Sequence, residues 1–224
     1  MMKFIDVENW ARKTAYQNFV TYTNPTFSVG TRFDVTNLVL YCKKNNLSFF
    51  ATFLYVVSKC ANQIEELKIR IVDGKPVIFD TVHPSYVVLC DDNHITTCQT
   101  DYLQNFESFH NNTKRDVEFV KKNWQQNKFN TSDGADCLYI SCLPWIDVRS
   151  FSNPYNYTNQ TQTSIPRIIW GKYVKNSQDR YEMGFDVSVH HALIDGFQVS
   201  QFICNVSNAL NNVEEFLRST TDER

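Results

Sequence analysis

The run Ser188-Val189-His190-His191-Ala192-Leu193-Ile194-Asp195-Gly196-Phe197 joins two segments with different hydrophobic periodicities. Before it, from Tyr181 to Val189, apolar and polar or small residues alternate. A period of two over this length predicts a β-strand with one buried face. The apolar face carries Met183, Phe185, Val187 and Val189, and the other face carries Glu182, Gly184, Asp186 and Ser188.

The segment after this run has the spacing of an amphipathic helix, with one face in the core. Its apolar positions are Phe197, Phe202, Val206, Ala209, Leu210, Val213 and Leu217. Two histidines, an aspartate and a glycine therefore lie in a turn between a strand and a helix. We expect Gly196 to provide a positive φ or a close approach of the chain. Polar groups that a rigid scaffold presents in a loop often carry out catalysis.

The histidines of this turn have two interpretations. Because a His side chain titrates near neutral pH, His191 is a candidate to remove a proton from a hydroxyl group. In the other interpretation the histidines simply end a strand and Asp195-Gly196 forms an ordinary turn, which is the commoner case. A metal site is disfavoured, because adjacent strand residues point to opposite faces and no Cys-x-x-Cys or His-x-x-x-His motif accompanies them.

Composition and charge are typical of a soluble globular protein. The 224 residues are 42% hydrophobic and 21% charged, which suits a single domain over residues 1–224. The net charge of −2 provides no basic surface for nucleic acid. No apolar run reaches the length of a membrane span, and the stretch Met1–Asp6 lacks the apolar core of a signal peptide.

The seven cysteines are an odd number and form no metal-type pairs. They lie mostly within apolar runs, at Cys42, Cys60, Cys90, Cys98, Cys137, Cys142 and Cys204. This distribution predicts reduced, mostly buried thiols in a cytoplasmic protein.

The rest of the chain mixes predicted strands and helices. Strands are predicted at Thr26–Asp34, Leu67–Val72, Lys75–Asp80, Ser85–Leu89, Leu138–Trp145, Ile165–Val174 and Arg180–Val189. Helices are predicted at Trp10–Phe19, from Thr36 through Lys44, from a Ser48 cap through Ala61, and at Asp101–Asn127. Asp73-Gly74 is a hairpin signal, and Asp147 to Thr163 has no periodicity. These elements predict an α/β (α+β) fold, a two-layer sandwich with a mixed β-sheet.

Four separated motifs resemble those of one enzyme family. They are Trp10-Ala11-Arg12-Lys13, the Asp73-Gly74 hairpin with Asp80-Thr81-Val82, Ser141-Cys142-Leu143-Pro144-Trp145, and the run from Val189 to Phe197. In this order, over nearly the full chain, they are similar to the chloramphenicol acetyltransferases. The shorter His-x-x-x-Asp-Gly pattern is shared by several coenzyme A-dependent acyltransferases, whose fold the resemblance implies.

The resemblance implies a role for each motif residue. His191 is the expected general base, Ser141 the donor to the oxyanion, and Asp195 the partner of Arg12. A planar, always charged guanidinium suits a bidentate pair with a carboxylate. The expected acceptor-binding residues are Phe19, Trp145, Asn153 and Ile169, and Lys172 is the expected contact to coenzyme A. No metal is expected.

Three positions depart from the family pattern. Ser188 stands where the family usually has Gln, and Gln198 stands where it usually has His. Ile169 replaces a threonine that, in the family, helps to hold the acceptor through water. Asn153 makes the expected pocket more polar. These changes bear on the identity of the acceptor and leave His191 and its partners in place.

The expected activity is acetyl transfer from acetyl-CoA to a small hydroxylated acceptor, chloramphenicol first, as in antibiotic resistance. The transfer is direct, within a ternary complex, with His191 as base. The resemblance also implies a homotrimer with active sites at subunit interfaces, and no nucleic-acid or membrane partner. Two alternatives stay open: the same chemistry on a different alcohol or amine, or a trimeric small-molecule binder that has lost activity.

Overall fold

The described residues, 1–125 and 134–219 of a computed structural model, form two β-sheets and a layer of helices. The strands are β1 (Met2–Phe4), β2 (Thr26–Asp34), β3 (Ile69–Val72), β4 (Lys75–Phe79), β5 (His83–Leu89), β6 (Ile95–Gln99), β7 (Cys137–Leu143), β8 (Arg167–Gly171), β9 (Val174–Lys175) and β10 (Tyr181–His190). The α-helices are α1 (Lys13–Phe19), α2 (Thr36–Lys44), α3 (Phe49–Asn62), α4 (Phe106–Asn123), α5 (Gln160–Ser164), α6 (Gly196–Asn211) and α7 (Val213–Arg218).

The larger sheet is mixed, as the sequence predicts. Its strand order is β2-β10-β8-β7-β5-β6, and β9 adds to β10. Strand β7 runs parallel to both β5 and β8, whereas the other pairs are antiparallel. A smaller antiparallel sheet has the order β1-β4-β3. The predicted fold class, a mixed sheet layered with helices, is confirmed.

Helix α3 is the centre of the helical layer. Ser48 caps it by accepting a hydrogen bond from the Ala51 amide at 3.3 Å, as predicted. Every residue from Ala51 to Ala61 is buried, because the helix packs between the sheet and its neighbours α2, α4 and α6. The buried Lys59 of this helix has a partner, since its ammonium donates to the Phe216 carbonyl at 3.0 Å.

Strand β10 departs from the prediction of one buried face, since both of its faces are buried. On the polar side, Asp186 is 5% exposed and Ser188 is fully buried. The segment that follows β7 lies across this side. At Gly184 a Cβ atom would stand 1.7 Å from the Val148 carbonyl oxygen, so only glycine permits this close approach. Packing against a distant segment therefore decides the burial, which local alternation does not reveal.

Several predicted boundaries were wrong. Asp6 caps a 3-10 helix at Val7–Asn9, and α1 begins only at Lys13. The predicted Leu67 strand begins at Ile69, after a 3-10 turn. Helix α4 begins after its Asn105 cap, and residues 126–127 of its predicted end lie outside the described residues.

Strands β1 and β6 and helix α5 were not predicted from the sequence. These elements have three to five residues each, and all three residues of β1 are exposed. The Asp73-Gly74 hairpin is confirmed between β3 and β4, with positive φ at both residues, 50° and 75°.

Two hydrophobic clusters fix the turn after β10. The larger lies between the helices and one face of the large sheet, and it includes Val189, Ile194 and Val199. The smaller joins α1 to the small sheet, through Tyr16, Ile69, Ile71, Ala192 and Leu193. The apolar residues of the turn are therefore anchored in two cores, which leaves the polar residues at the surface between them.

Candidate active site

The turn between β10 and α6 presents His191 beside the end of β2. In the β10–β2 ladder His190 lies opposite Thr26. The His191 amide then donates to the Pro25 carbonyl at 2.7 Å, which extends the pairing by one residue. The backbone of His191 is thus fixed by the sheet, although its side chain lies outside the strand.

Arg12 and Asp195 form a two-point ion pair at this turn. Arg12 Nη2 donates to Asp195 Oδ1 at 3.0 Å, and Arg12 Nη1 donates to Asp195 Oδ2. Arg12 Nη2 also donates to the His191 carbonyl oxygen at 3.1 Å. The Arg12 guanidinium lowers the pKa of Asp195 below its usual range, so the carboxylate is ionised at neutral pH.

The ring of His191 lies between two phenylalanines and a carboxylate. Phe19 stacks on it with ring centroids 4.0 Å apart and planes at 5°, and Phe27 contacts it at 4.6 Å. His191 Nδ1 lies 3.2 Å from Asp195 Oδ1, outside hydrogen-bond geometry, so the contact is electrostatic. These contacts restrict the orientation of the ring, while the side chain of His191 stays 35% exposed to solvent.

His190, the neighbouring histidine, has a different environment. Its side chain is 3% exposed, and Nδ1 accepts a hydrogen bond from the Ala192 amide at 3.3 Å. Burial, together with the nearby His191, lowers the pKa of His190 to about 4. It is therefore neutral at physiological pH and supports the turn.

Gln198 caps the N-terminus of α6. The Asp195 amide donates to Gln198 Oε1 at 3.2 Å, and Gln198 Nε2 donates to Glu66 Oε1 at 3.2 Å.

The expectation for Gly196 was wrong: its φ is not positive, and a Cβ atom there would contact nothing within 4 Å. A side chain at position 196 is sterically possible because this first helical position faces open space.

A cavity of about 320 Å³ lies on the polar face of the large sheet, away from the main helices. Its walls include Ser141, Ile169, Asn153, Phe151 and Arg167. Ser141 and Ile169 are direct neighbours on the parallel strands β7 and β8. The volume falls at the small end of the range of small-molecule sites.

A chain of hydroxyl and amide groups borders this cavity. Asn153 Nδ2 donates to Ser188 Oγ at 2.9 Å, and Ser188 Oγ lies 2.6 Å from Ser28 Oγ. Ser188 therefore connects β2, β10 and the segment that covers the sheet. Sequence periodicity alone did not point to Ser28, and Ser188 was noted only as a departure from the family pattern.

Within one chain the predicted site residues fall into two separate groups. The first contains Arg12, Phe19, His191 and Asp195, and the second contains Ser141, Asn153 and Ile169. Ile169 lies opposite Asp186 on β10, five residues before His191. This register separates Ser141 from His191 by roughly 16 Å along the strand and about 10 Å across two strand spacings.

Trp145 and Lys172 belong to neither group. Both follow the paired ends of β7 and β8, and the Trp145 side chain is 63% exposed. The Lys172 amide donates to the Ile146 carbonyl at 2.7 Å, while its side chain is exposed. In a single chain neither residue lines the cavity.

Two further observations concern the described part of the chain alone. Over residues 1–125 and 134–219, His, Cys, Asp and Glu side chains do not assemble in groups of three or more suited to a metal ion. Across the same residues, no helix combines the length and the apolar character needed to span a membrane.

Comparisons with known proteins agree on one family. The sequence profile described as Chloramphenicol acetyltransferase matches residues 1–207. A chloramphenicol acetyltransferase of Clostridium perfringens is 28% identical, over 96% of this chain and 99% of the relative. One from Proteus mirabilis is 27% identical, over 89% of this chain and 90% of its own length.

Solved structures give the same fold. A chloramphenicol acetyltransferase structure has a TM-score of 0.79 at 24% identity, covering 94% of this chain and 98% of its own. A dihydrolipoamide acetyltransferase of Azotobacter vinelandii has a TM-score of 0.68 at 15% identity. The match covers 91% of this chain and 88% of that structure's chain. The fold is thus that of the coenzyme A-dependent acyltransferases. The profile match decides the narrower assignment: this chain belongs to the chloramphenicol acetyltransferase family.

Proposed function

We propose that this chain is an acetyl-CoA-dependent O-acetyltransferase that acetylates chloramphenicol by direct transfer. The observation that carries the proposal is the turn of β10, where His191 is packed by Phe19 and lies 3.2 Å from a carboxylate that Arg12 holds. Together with membership of the family, this arrangement supports a general base rather than an ordinary strand end.

In the proposed reaction His191 removes the proton of the acceptor hydroxyl as its oxygen attacks the thioester carbonyl. The new C–O bond forms, the C–S bond breaks, and His191 returns the proton to the departing sulfur. The Asp195 carboxylate beside Nδ1 stabilises the protonated ring during transfer. Both substrates are bound together, so no acyl-enzyme is required.

We assign Ser141 the stabilisation of the oxyanion. Its hydroxyl lines the cavity, next to Ile169 on the adjacent strand. A hydroxyl donor placed in a largely apolar cavity is effective at the moment when negative charge develops on the carbonyl oxygen. Phe19, Asn153 and Ile169 are proposed to contact the acceptor, and Trp145 and Lys172 stay predictions as ligand contacts.

The separation of the two groups supports a site that two subunits build together. Roughly 19 Å between Ser141 and His191, combining the distances along and across the sheet, is too far for one acceptor hydroxyl to contact both. We therefore propose a homotrimer, a closed ring in which His191 of one subunit faces the cavity of the next. The exposed Trp145 and Ile146 are available for such an interface.

The remaining parts of the proposal concern the co-substrate and the cell. The exposed Lys172 ammonium suits a phosphate group of coenzyme A as a point charge. We treat residues 1–224 as one domain acting in the cytoplasm, where its seven free cysteines stay reduced. Acetylation of chloramphenicol would there confer resistance.

The test is free-thiol release from acetyl-CoA by the purified protein, with and without chloramphenicol. Chloramphenicol-dependent thiol supports the proposal. Thiol release only with other alcohols or amines would mean that the chemistry is retained and the acceptor differs. Binding of acetyl-CoA with no thiol release from any acceptor would favour the alternative of an inactive small-molecule binder.

A further inference from the structure

Arg167 places a cation in the wall of the acceptor cavity. It lies on β8 two residues before Ile169, on the same face of the sheet, and lines the cavity together with Ser141. Two residues of strand correspond to about 7 Å. The Cα atom of Arg167 therefore lies about 7 Å along the sheet from the Ser141–Ile169 row, and its side chain lines the same cavity.

Aromatic rings and one carbonyl hold this guanidinium in place. Its carbon lies 4.0 Å from the centroid of the Tyr155 ring and 5.7 Å from that of Tyr139. Nη1 donates to the Pro154 carbonyl oxygen. Stacking fixes the plane of the guanidinium while preserving its charge, which suits recognition of a planar or oxygen-rich anion.

Within the described part of one chain, the charge of Arg167 has no counter-ion. Among residues 1–125 and 134–219, no carboxylate oxygen lies within 4.0 Å of this guanidinium. Arg167 Nε is buried and has no hydrogen-bond partner among them. Pro154 supplies one acceptor to a group with five N–H donors, so donors remain for a ligand.

Asp186 is the buried carboxyl on the same face of β10. It lies 3.5 Å from the Ser188 hydroxyl and forms no ion pair with Arg167. Burial raises the pKa of Asp186 above its usual value. A cation in a cavity without a compensating anion is unfavourable until a ligand supplies one.

We propose that Arg167 makes this cavity select alcohols that carry an anionic group, a carboxylate or a phosphate, in addition to the acetylated hydroxyl. The inference rests on the proposed function for the location of the acceptor. It adds a substrate class, because chloramphenicol itself is a neutral alcohol. Arg167 acts on specificity and takes no part in proton transfer.

The test compares three alcohols with the same benzyl alcohol core: 4-(hydroxymethyl)benzoate, its methyl ester, and 4-(hydroxymethyl)phenyl phosphate. Thiol release from acetyl-CoA gives kcat/KM for each alcohol. For the unmodified protein we expect at least one acid to exceed the ester by about tenfold or more, as for hydrogen bonds to charged groups. The acid with the higher kcat/KM shows whether the cavity prefers a carboxylate or a phosphate.

Arg167→Gln should remove this preference, and Arg167→Lys should keep part of it, since the charge is retained but the planar fork is lost. The matched control is Arg115→Gln, which removes an arginine with a 70% exposed side chain outside the cavity. If turnover is too slow to measure, calorimetric binding of the same alcohols gives the comparison.

Equal kcat/KM or equal affinity for acids and ester in the unmodified protein overturns the proposal, as does an unchanged ratio in Arg167→Gln. Absence of binding of both acids also overturns it. Chloramphenicol-dependent thiol release without any preference for acids would overturn this inference alone and leave the proposed function standing. A preference for acids without chloramphenicol turnover would leave this inference standing and overturn the proposed function.

Discussion

Arg12 and Asp195 are 183 residues apart in the sequence and form a two-point ion pair, with Arg12 Nη2 3.0 Å from Asp195 Oδ1. The same Nη2 atom donates to the His191 carbonyl oxygen. One side chain near the start of the chain therefore fixes both the backbone and the carboxylate neighbour of His191. Because Arg12 precedes α1, whose last residue Phe19 stacks on the ring, one short segment organises the whole histidine turn.

We expect Arg12→Met to lower the free energy of unfolding by about 1 kcal/mol, since the Asp195 side chain is 42% exposed and water screens the pair. Arg12→Lys should lose less, because the charge remains while one of the two hydrogen bonds is lost. Urea unfolding measures both, with Arg115→Met as the control at an exposed arginine. A loss in the control equal to that in Arg12→Met would contradict a specific role of the pair.

The pair should also give a defined dependence on pH. Since the pKa of Asp195 is lowered from 3.8 in the folded state, its contribution is present above about pH 4. It is lost as pH falls through the folded pKa. In a His191→Ala background, which removes the neighbouring imidazole, the difference in unfolding free energy between chains with and without Asp195→Asn should be constant from about pH 5 to 7 and shrink below about pH 4.

Urea unfolding at a series of pH values measures this difference. Asp73→Asn, in the exposed hairpin turn, is the control carboxyl, and its difference should not follow the same curve. In that background, a difference for Asp195→Asn that grows as pH falls below about 4 would contradict this expectation.

His191→Ala should lower kcat for thiol release by about 10²- to 10⁴-fold, the range for loss of a general base. The side chain is 35% exposed and no core element depends on it, so the oligomer should stay intact by sedimentation. His94→Ala changes an exposed histidine elsewhere and should keep full activity. Activity close to that of the unmodified protein in His191→Ala would end the proposed mechanism.

Ser141→Ala should lower kcat by about 10²- to 10³-fold with little change in KM, because the hydroxyl acts on charge that develops in the transition state. Steady-state kinetics with acetyl-CoA and chloramphenicol separate the two parameters. Ser177→Ala, in the exposed turn before β10, is the matched control. A rise in KM at constant kcat would instead make Ser141 a binding residue.

Hybrid oligomers test whether two subunits build one site. His191→Ala and Ser141→Ala chains, each inactive alone, can be co-expressed with different tags and the mixed trimers isolated. One of the three interfaces in a mixed trimer pairs an intact His191 with an intact Ser141, so we expect about one third of the activity of the unmodified protein. No activity in the hybrids would place both residues in one chain's site.

Ile169→Thr should raise kcat with chloramphenicol by about fivefold, equivalent to a hydrogen bond of about 1 kcal/mol in the transition state. The side chain is 2% exposed in the sheet and lines the cavity, so its hydroxyl would face the acceptor. Ile169→Val is the control, because Val has nearly the same shape as Thr but no hydroxyl. This variant should give no gain in kcat. Equal rates for the two variants would show that volume, not polarity, limits chloramphenicol at this position.

The elements that the sequence predicted well are those with strong local signals. The alternation of β10, the capped helix after Ser48 and the Asp73-Gly74 hairpin each depend on side-chain spacing or turn chemistry within a few residues. Strands β1 and β6 were missed for different reasons: β1 has three exposed residues at a sheet edge, and the buried positions of β6 are Thr96 and Cys98 rather than large apolar residues. The wrong expectation for Gly196 came from assigning a conformational reason to a glycine that faces open space.

The sequence by itself determined the fold class, the motif residues and the family resemblance, because these depend on residue types and local spacing. Tertiary structure alone decided how those residues are grouped. The register of β7, β8 and β10 separates Ser141 from His191 within one chain, and the segment around Val148 buries the polar face of β10. The tertiary structure also places Arg167 in the cavity without a counter-ion among the residues that the structure describes, since pairing of charges depends on contacts between segments distant in sequence.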